Sequence, residues 1–317
     1  MHVESHITKS FRATSCAIFV AAISTWAATS ARAEDDSPVD KINAEAARAE
    51  ITVQPLRGNI SVLMGSGGNI TVLAADEGKL MVDGGIAVSR PRLAKALAGL
   101  GSAAPKYLID THWHWDHTDS NQWLHESGAT IIAHENTLKR LSETVRVEDW
   151  RHTFTPVPLE ALPTFIVKTE LAMQYAGETI HMKYYGPSHT DSDIAVHFAK
   201  ADVLVTGDTW WNGVYPFIDY VAGGSIDGAI RAANTNIAYA TDKTIVVPGH
   251  GPVGGRADLI EFRDMLVGIR TRVAELKKQG KSLDEVIAAK PTAKYDAKWG
   301  GFVIDPAFFT RLVYRGV

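Results

Sequence analysis

The chain has 317 residues, of which 45% are hydrophobic, and its 32 basic and 36 acidic side chains give a net charge of −4. This length suits one large layered α/β domain. The acidic balance and the lack of any run rich in Lys and Arg argue against a protein that follows nucleic acid phosphates, so we expect no nucleic acid partner.

The first 33 residues have the features of a secretory signal peptide. Lys9 and Arg12 precede an apolar run over residues 16–28, and Ala31-Arg32-Ala33 matches the pattern that a signal peptidase cleaves. The apolar run is shorter than the roughly 20 residues of a membrane-spanning helix. We therefore expect cleavage after Ala33 and a periplasmic or secreted protein without a stable membrane anchor. A retained N-terminal anchor is the alternative.

The mature chain is predicted to be one domain over residues 34–317. It carries 29 basic and 35 acidic residues, a net charge of −6. The only cysteine, Cys16, lies within the predicted signal peptide. The mature protein therefore needs no disulfide in an oxidising compartment and must build any metal site from His, Asp or Glu. The sequence makes no prediction of its oligomeric state.

The first half of the mature chain is predicted to begin with strands and then to alternate strands and helices. Apolar runs at 60–63, 70–73 and 80–82 are separated by turn residues. Ser89 is expected to cap a helix that has Pro91 in its first turn and ends at Gly101. A strand at 106–110, a helix at 121–126, a strand at 130–133 and a helix from about 136 complete this half.

The second half repeats the alternation. Strands are predicted at 179–185, 194–198, 203–206 and 244–247, with helices near 225–239 and 257–278 and a capping box at Ser282. Residues 146–165 contain three prolines and no clear period. We expect an irregular loop there, either a lid over a site or an ordinary surface excursion.

A dense group of metal-binding residue types follows the strand predicted at 106–110. The sequence Thr111-His112-Trp113-His114-Trp115-Asp116-His117 places three imidazoles and a carboxylate within six positions. Neutral imidazole and carboxylate are ligands of borderline metals, and a solvated loop has no reason to alternate them. The block predicts a metal site.

Three further polar residues each follow an apolar strand. His189 follows the strand at 179–185, Asp208 follows the strand at 203–206 and His250 follows the strand at 244–247. The ends of these strands lie at one rim of a sheet, and functional sites of α/β folds usually lie at this rim. Each residue alone would be an ordinary loop or core polar group, and only their joint placement makes them candidate ligands.

The whole set resembles the metallo-β-lactamase superfamily over about residues 60–257. The residues that carry the resemblance are His112, His114, Asp116, His117, His189, Asp208 and His250. The resemblance implies a four-layer αβ/βα sandwich, with two central mixed sheets flanked by helices and a centre of two Zn²⁺ ions per chain. It also implies that His112, His114 and His189 bind one zinc, that Asp116, His117 and His250 bind the second, and that Asp208 bridges them.

Some residues of this chain differ from those of particular superfamily members, and these differences narrow the set of members that the chain resembles. A cysteine ligand is excluded, and Asp208 supplies a bridging acid that the His-rich β-lactamases lack. Trp211 stands where some β-lactamases have a lysine for the substrate carboxylate, and His114 stands where flavin-linked diiron relatives carry Glu. The ligand set is closest to glyoxalase II and lactonases.

The resemblance implies an exported zinc-dependent hydrolase of a small-molecule acyl substrate. A hydroxide between the metals would attack a β-lactam, lactone or ester carbonyl, and Asp116 would accept and return its proton. Nearby aromatic residues would line an apolar substrate pocket or pack the core, namely Trp113, Trp115, Trp210, Trp211, Tyr215 and Phe217.

Two functions of other classes remain open. One is an iron-dependent oxidoreductase acting on sulfur compounds with part of the same ligands. The other is a periplasmic accessory protein that holds metal without turnover. Five other histidines are interpreted as structural or surface residues, with His134 the one placed at a strand end: His125, His134, His152, His181 and His197.

Overall fold

The computed structural model describes residues 37–317, so the predicted signal peptide lies outside the described residues. The strands are β1 (Thr52–Pro55), β2 (Ile60–Met64), β3 (Ile70–Ala75), β4 (Gly78–Val82), β5 (Pro105–Ile109), β6 (Thr130–His134), β7 (Val145–Val147), β8 (His152–Phe154), β9 (Phe165–Val167), β10 (Glu170–Tyr175), β11 (Glu178–Tyr184), β12 (Ile194–Phe198), β13 (Val203–Val205) and β14 (Ile245–Val247). The α-helices are α1 (Pro38–Ala46), α2 (Arg90–Gly99), α3 (Trp115–Thr118), α4 (Asn121–Glu126), α5 (Glu135–Leu141), α6 (Ile226–Tyr239), α7 (Arg256–Lys278), α8 (Leu283–Ala288), α9 (Asp296–Trp299) and α10 (Pro306–Gly316).

The strands form two large sheets and one small one. The first sheet has seven strands in the order β1-β2-β3-β4-β5-β6-β9, and the second has five in the order β10-β11-β12-β13-β14. In the first sheet β1 to β4 pair antiparallel, whereas β4, β5, β6 and β9 pair parallel. In the second sheet only the β13–β14 pair is parallel. Both large sheets are therefore mixed, as expected.

Alternation along the strands divides the core into layers. Val62 on β2 packs with Ile180 and Val196 of the second sheet, so this cluster lies between the two sheets. The next residue along β2, Leu63, belongs to a different cluster that includes Leu93 of α2. Successive side chains of a strand point to opposite faces, so one face of the first sheet meets the second sheet and the other meets helices.

Helices also cover the far side of the second sheet. Leu204 of β13 and Val246 of β14 share a cluster with residues of α6, α7 and α10, such as Phe262 and Leu312. The order of layers is thus helices, sheet, sheet, helices. This confirms the four-layer αβ/βα sandwich.

Most predicted elements are present within one or two residues of the expected bounds, but one capping contact differs. Ser89 precedes α2, yet its side chain accepts no hydrogen bond from the helix. Its hydroxyl instead donates to the carbonyl of Ile86 at 2.7 Å and contacts Ser66. Ser282 does form the predicted capping box at α8.

The prediction of an irregular loop at 146–165 is wrong in part. β7 and β8 form a hairpin, with Val145 opposite Phe154. Trp150, in the turn between these strands, is 4% exposed and packs against Phe217 with ring centroids 4.8 Å apart. The prolines lie after the hairpin, where they do not interrupt its hydrogen bonds.

The sequence patterns also missed several peripheral elements, among them α1, β10 and α10. Of these, α1 begins after Ser37, whose side chain accepts from the backbone NH of Val39. Among the described helices, none has the length and apolar content that a bilayer crossing requires.

Candidate metal centre

All seven predicted ligands come together at the rim between the two large sheets. His112 to His117 follow β5 of the first sheet, while His189, Asp208 and His250 follow β11, β13 and β14 of the second. All seven are buried, from 0% exposed for His112 to 9% for His250. Strands of both sheets end at this rim, which is why residues so far apart in sequence can meet there.

The first group of donors consists of His112, His114 and His189. The Nδ1 atom of His114 lies 3.1 Å from Nε2 of His112 and 2.9 Å from Nε2 of His189. One ligand atom from each of these residues and from Asp208 lies within 4.8 Å of the others. The three nitrogens converge in the manner of a three-histidine metal site.

The second group consists of Asp116, His117 and His250, and Asp208 lies between the two groups. Oδ2 of Asp116 is 3.2 Å from Nε2 of His250. Oδ1 of Asp208 is 3.1 Å from Nε2 of His117, and its Oδ2 is 3.3 Å from Nε2 of His189. Its Oδ2 also lies 3.4 Å from Nε2 of His250. The carboxylate of Asp208 therefore contacts histidines of both groups, which is the placement a bridging ligand requires.

The second nitrogen of three of the histidines, His114, His117 and His189, is held by a neighbour. Nδ1 of His117 lies 2.8 Å from Oδ2 of Asp83, and Nε2 of His114 lies 2.9 Å from Oδ2 of Asp219. Nδ1 of His189 donates to the carbonyl of Phe217 at 2.8 Å. Such partners fix the tautomer and ring orientation and leave the other nitrogen as the metal donor.

Sequence reasoning missed Asp83 and Asp219. Asp83 follows β4, so the rule that identified His189 and Asp208, a polar residue just past an apolar strand, also describes it. Asp219 stands alone in an apolar stretch more than 100 positions from His114. No local pattern marks it.

The pKa shifts divide the charge of the cluster between its groups. Burial, reinforced by His117, holds the pKa of His112 well below its ordinary value, and burial also lowers the pKa of His189. Burial alone would lower the pKa of His250, but the carboxylates of Asp208 and Asp116 raise it to about 9. His112 and His189 are thus neutral, the form that binds metals, while His250 carries positive charge beside two carboxylates.

Several buried atoms of the cluster have no hydrogen-bond partner, and these fit a bound cation. Among the described residues they include Nε2 of His117, Nε2 of His250 and Oδ1 of Asp208. Uncompensated polar atoms of this kind are costly unless something satisfies them. Glycine keeps the space open, since a Cβ at Gly249 would lie 1.9 Å from Oδ1 of Asp208. The donor set and its orphaned atoms therefore fit a metal centre.

A cavity of about 170 Å³ opens onto this centre. Five of the seven candidate ligands line it: His114, Asp116, His189, Asp208 and His250. Five aromatic side chains from separate segments also line the cavity, namely Trp115, Trp150, Trp211, Phe217 and Phe302. The centre thus lies beside an apolar cavity.

The six aromatic residues singled out in the sequence fall into two sets. Trp115, Trp211 and Phe217 line the cavity. Trp113, Trp210 and Tyr215 are not among its lining residues and are at most 2% exposed. Both interpretations of the aromatic cluster therefore apply, each to half of it.

His134 is structural. Its ring stacks on Tyr184 with centroids 4.0 Å apart. Its Nε2 donates to the carbonyl of Lys168 at 3.1 Å, and its Nδ1 accepts from the NH of Asn136. Both nitrogens are used, and neither faces the metal centre.

The fold and the donor cluster define a sandwich protein with a candidate metal site at the rim of two sheets. The family model of the metallo-β-lactamase superfamily matches residues 63–250. This is more than half of the chain, and the chain belongs to the metallo-β-lactamase superfamily. No curated protein sequence matches it.

Solved structures share the fold at low sequence identity. DIM-1 metallo-β-lactamase is 20% identical with a TM-score of 0.54, and the match covers 69% of this chain and 97% of that one. A metallo-β-lactamase from Pontibacter korlensis is 17% identical with a TM-score of 0.55, covering 69% and 99%. The sec-alkylsulfatase Pisa1 from Pseudomonas sp. is 16% identical with a TM-score of 0.63, and the match covers 89% of this chain but only 53% of the sulfatase.

Replacement of Asp219 by asparagine is expected to weaken metal binding by about 10-fold to 100-fold, the usual cost of losing a partner behind a histidine ligand. Burial alone would raise the pKa of Asp219, but the hydrogen bond and charge of His114 lower it below its ordinary value, so the group is ionised. The amide keeps an oxygen for the NH groups of Val221 and Ala222, which Oδ1 accepts at 3.0 Å. Its NH₂ group, which takes the place of Oδ2, cannot accept the hydrogen bond that Nε2 of His114 donates.

Competition with a chelating dye would measure the affinity of the parent and the Asp219→Asn variant. Urea denaturation of both would measure stability separately. If the variant loses stability but binds metal at the parent affinity, Asp219 supports the loop and does not position His114.

Proposed function

We propose that the protein is an exported hydrolase that uses two zinc ions to cleave the acyl bond of a small molecule, a β-lactam, a lactone or an ester. One observation carries the proposal: donor atoms of seven buried residues, some of them without partners, converge beside an apolar cavity. Membership of the superfamily supports metal-dependent hydrolysis as the reaction class.

The ligands would divide as the two donor groups suggest. His112, His114 and His189 would hold one ion, and Asp116, His117 and His250 the other, with Asp208 between them. The division is supported by the distances within each group and by the carboxylate of Asp208, which lies within 3.4 Å of histidines of both groups.

Bound in this arrangement, two zinc ions supply a water of lowered pKa and a Lewis acid for a carbonyl oxygen. Asp116 would move the proton. Burial alone would raise its pKa, but His117 and His250 lower it below its ordinary value, so the carboxylate is ionised and able to accept. Trp115 and Phe217 would exclude bulk water from the reacting carbonyl.

The metal content of the purified protein and its rates on a substrate panel test the proposal together. The panel contains a nitrocefin-type β-lactam, an N-acyl-homoserine lactone, a p-nitrophenyl ester and a secondary alkyl sulfate. We expect two zincs per chain and hydrolysis of at least one of the first three. One iron per chain, or hydrolysis of the alkyl sulfate alone, would contradict the proposal, as would full zinc occupancy without any turnover.

Matched variants tie the activity to the site. His114→Ala is expected to lose both zinc and activity. His125→Ala removes a histidine whose Nδ1 donates to the carbonyl of Ala129 at 3.0 Å, away from the cluster, and is expected to keep both. Sequencing the N-terminus of protein recovered from the periplasm tests export, with Glu34 expected as the first residue.

A further inference from the structure

The cavity has two walls that come from outside the residues shared with the superfamily. The family match ends at residue 250 and begins at residue 63. Ile42, Glu45 and Ala46 of α1 line the cavity on one side, and Phe302 and Val303 line it elsewhere. These walls therefore lie outside the residues that the family model matches.

Helix α1 is fixed against the cavity by three side-chain hydrogen bonds. The hydroxyl of Ser37 donates to the carbonyl of Trp150 at 2.7 Å, and Nε1 of Trp115 donates to Oδ1 of Asn43 at 3.0 Å. The guanidinium of Arg92 donates to the carbonyl of Ala46 at 2.6 Å. Two of these bonds join the α1 segment to tryptophans that line the cavity. The helix is therefore held in place as part of the cavity wall.

Glu45 gives this wall a negative charge. It is the one charged residue that lines the cavity apart from the candidate ligands, and neither Lys nor Arg is among the described lining residues. The cations of the same segment, Lys41 and Arg48, do not line it either. Glu45 is exposed, which places its carboxylate at the solvent side.

We propose, on the basis of the proposed function, that Glu45 is a specificity-determining residue that selects acyl substrates whose distal group is neutral or cationic and disfavours those with a distal anion. An apolar wall offers a carboxylate no compensating donor, and a fixed negative charge at the rim repels it. The substrates are thus uncharged or positively charged acyl compounds, such as lactones and esters of apolar acids.

A set of esters that differ only in the distal group tests the selection. The substrates are p-nitrophenyl esters whose six-carbon acyl chain ends in a methyl group, a carboxylate or a trimethylammonium. We expect the parent to have the lowest kcat/KM on the carboxylate. Glu45→Gln should raise the ratio of carboxylate to methyl ester by at least about threefold, since unit charges about 4 Å apart in water interact by roughly 1 kcal/mol.

Two controls separate charge from structure. Glu45→Lys should raise the ratio further, whereas Asp40→Asn, on α1 but outside the cavity lining, should leave it unchanged. High salt should shrink the parent's discrimination, because exposed charges are screened. An unchanged ratio in Glu45→Gln and Glu45→Lys, or an equal change in Asp40→Asn, overturns the inference.

A binding measurement keeps this inference distinct from the proposed function. Tryptophan fluorescence of the mature protein as purified reports on the cavity, since Trp115, Trp150 and Trp211 line it. Titration with octanol, octylammonium and octanoate should show that Glu45→Gln strengthens octanoate binding relative to octanol by about the same factor. If the protein hydrolyses no β-lactam, lactone or ester, the proposed function fails, and this binding ratio alone decides the inference: a rise supports it and no change overturns it.

Discussion

The Asp208→Ala variant is expected to lose most of its bound metal and about 10³-fold in kcat/KM, at least the cost of removing one electrostatic stabiliser of a transition state. The carboxylate is 4% exposed and faces histidines of both donor groups, His117 at 3.1 Å and His189 at 3.3 Å. Burial alone would raise its pKa, but His250 and His117 lower it well below its ordinary value. Its removal takes a negative charge away from both proposed ions at once.

Metal analysis after gel filtration and rates on the substrate that the parent cleaves best would measure both losses. Asp227→Asn is the matched control, since Asp227 forms an exposed ion pair with Arg270 at 2.9 Å and such pairs contribute little. A folded Asp208→Ala protein with two metals per chain would show that Asp208 does not bridge them.

The Asp83→Ala variant is expected to lose about 3–5 kcal/mol of unfolding free energy, the range for leaving a buried charged group without its partner. The carboxylate of Asp83 is buried and accepts from the NH of Thr111 at 2.7 Å and from its hydroxyl at 2.9 Å. It also lies 2.8 Å from Nδ1 of His117. Alanine leaves all three donors unpaired in a site that excludes water.

The backbone of Asp83 adds to this cost. Its φ is +66°, a left-handed conformation that asparagine tolerates and alanine does not. Asp83→Asn should therefore retain at least half of the stability that Asp83→Ala loses. Urea denaturation in the presence of a chelator measures both variants without a contribution from metal. An alanine variant within about 1 kcal/mol of the parent would place it among ordinary surface substitutions and refute the assigned role.

The donor set is predictable from sequence because its chemistry is locally dense. Four of the seven donors stand in one short block at residues 112–117, and the other three each follow an apolar strand. Strand ends at a common rim are a general property of α/β sheets, so the residues could be grouped before their contacts were known.

The walls of the cavity and one supporting acid, Asp219, escape such reasoning. The cavity arises where α1, Trp150 and Phe302 meet, and these segments are distant in sequence and carry no common pattern. Asp219 supports His114 through a contact that only the packed loop creates. The hairpin of β7 and β8 was missed for another reason. Three prolines suggested an irregular loop, but they lie beyond the paired residues of the hairpin.

The donors reach the rim from both halves of the sandwich. His112 belongs to the loop after β5, and His250 to the loop after β14. A cation held by such residues binds the folded chain and not the unfolded one, so its binding free energy adds to the free energy of unfolding. Full affinity then requires that both sheets are already in place. Full metal occupancy would therefore indicate that folding is complete. A chain truncated before β14 would lack His250 and could not hold the ion that this residue helps to bind.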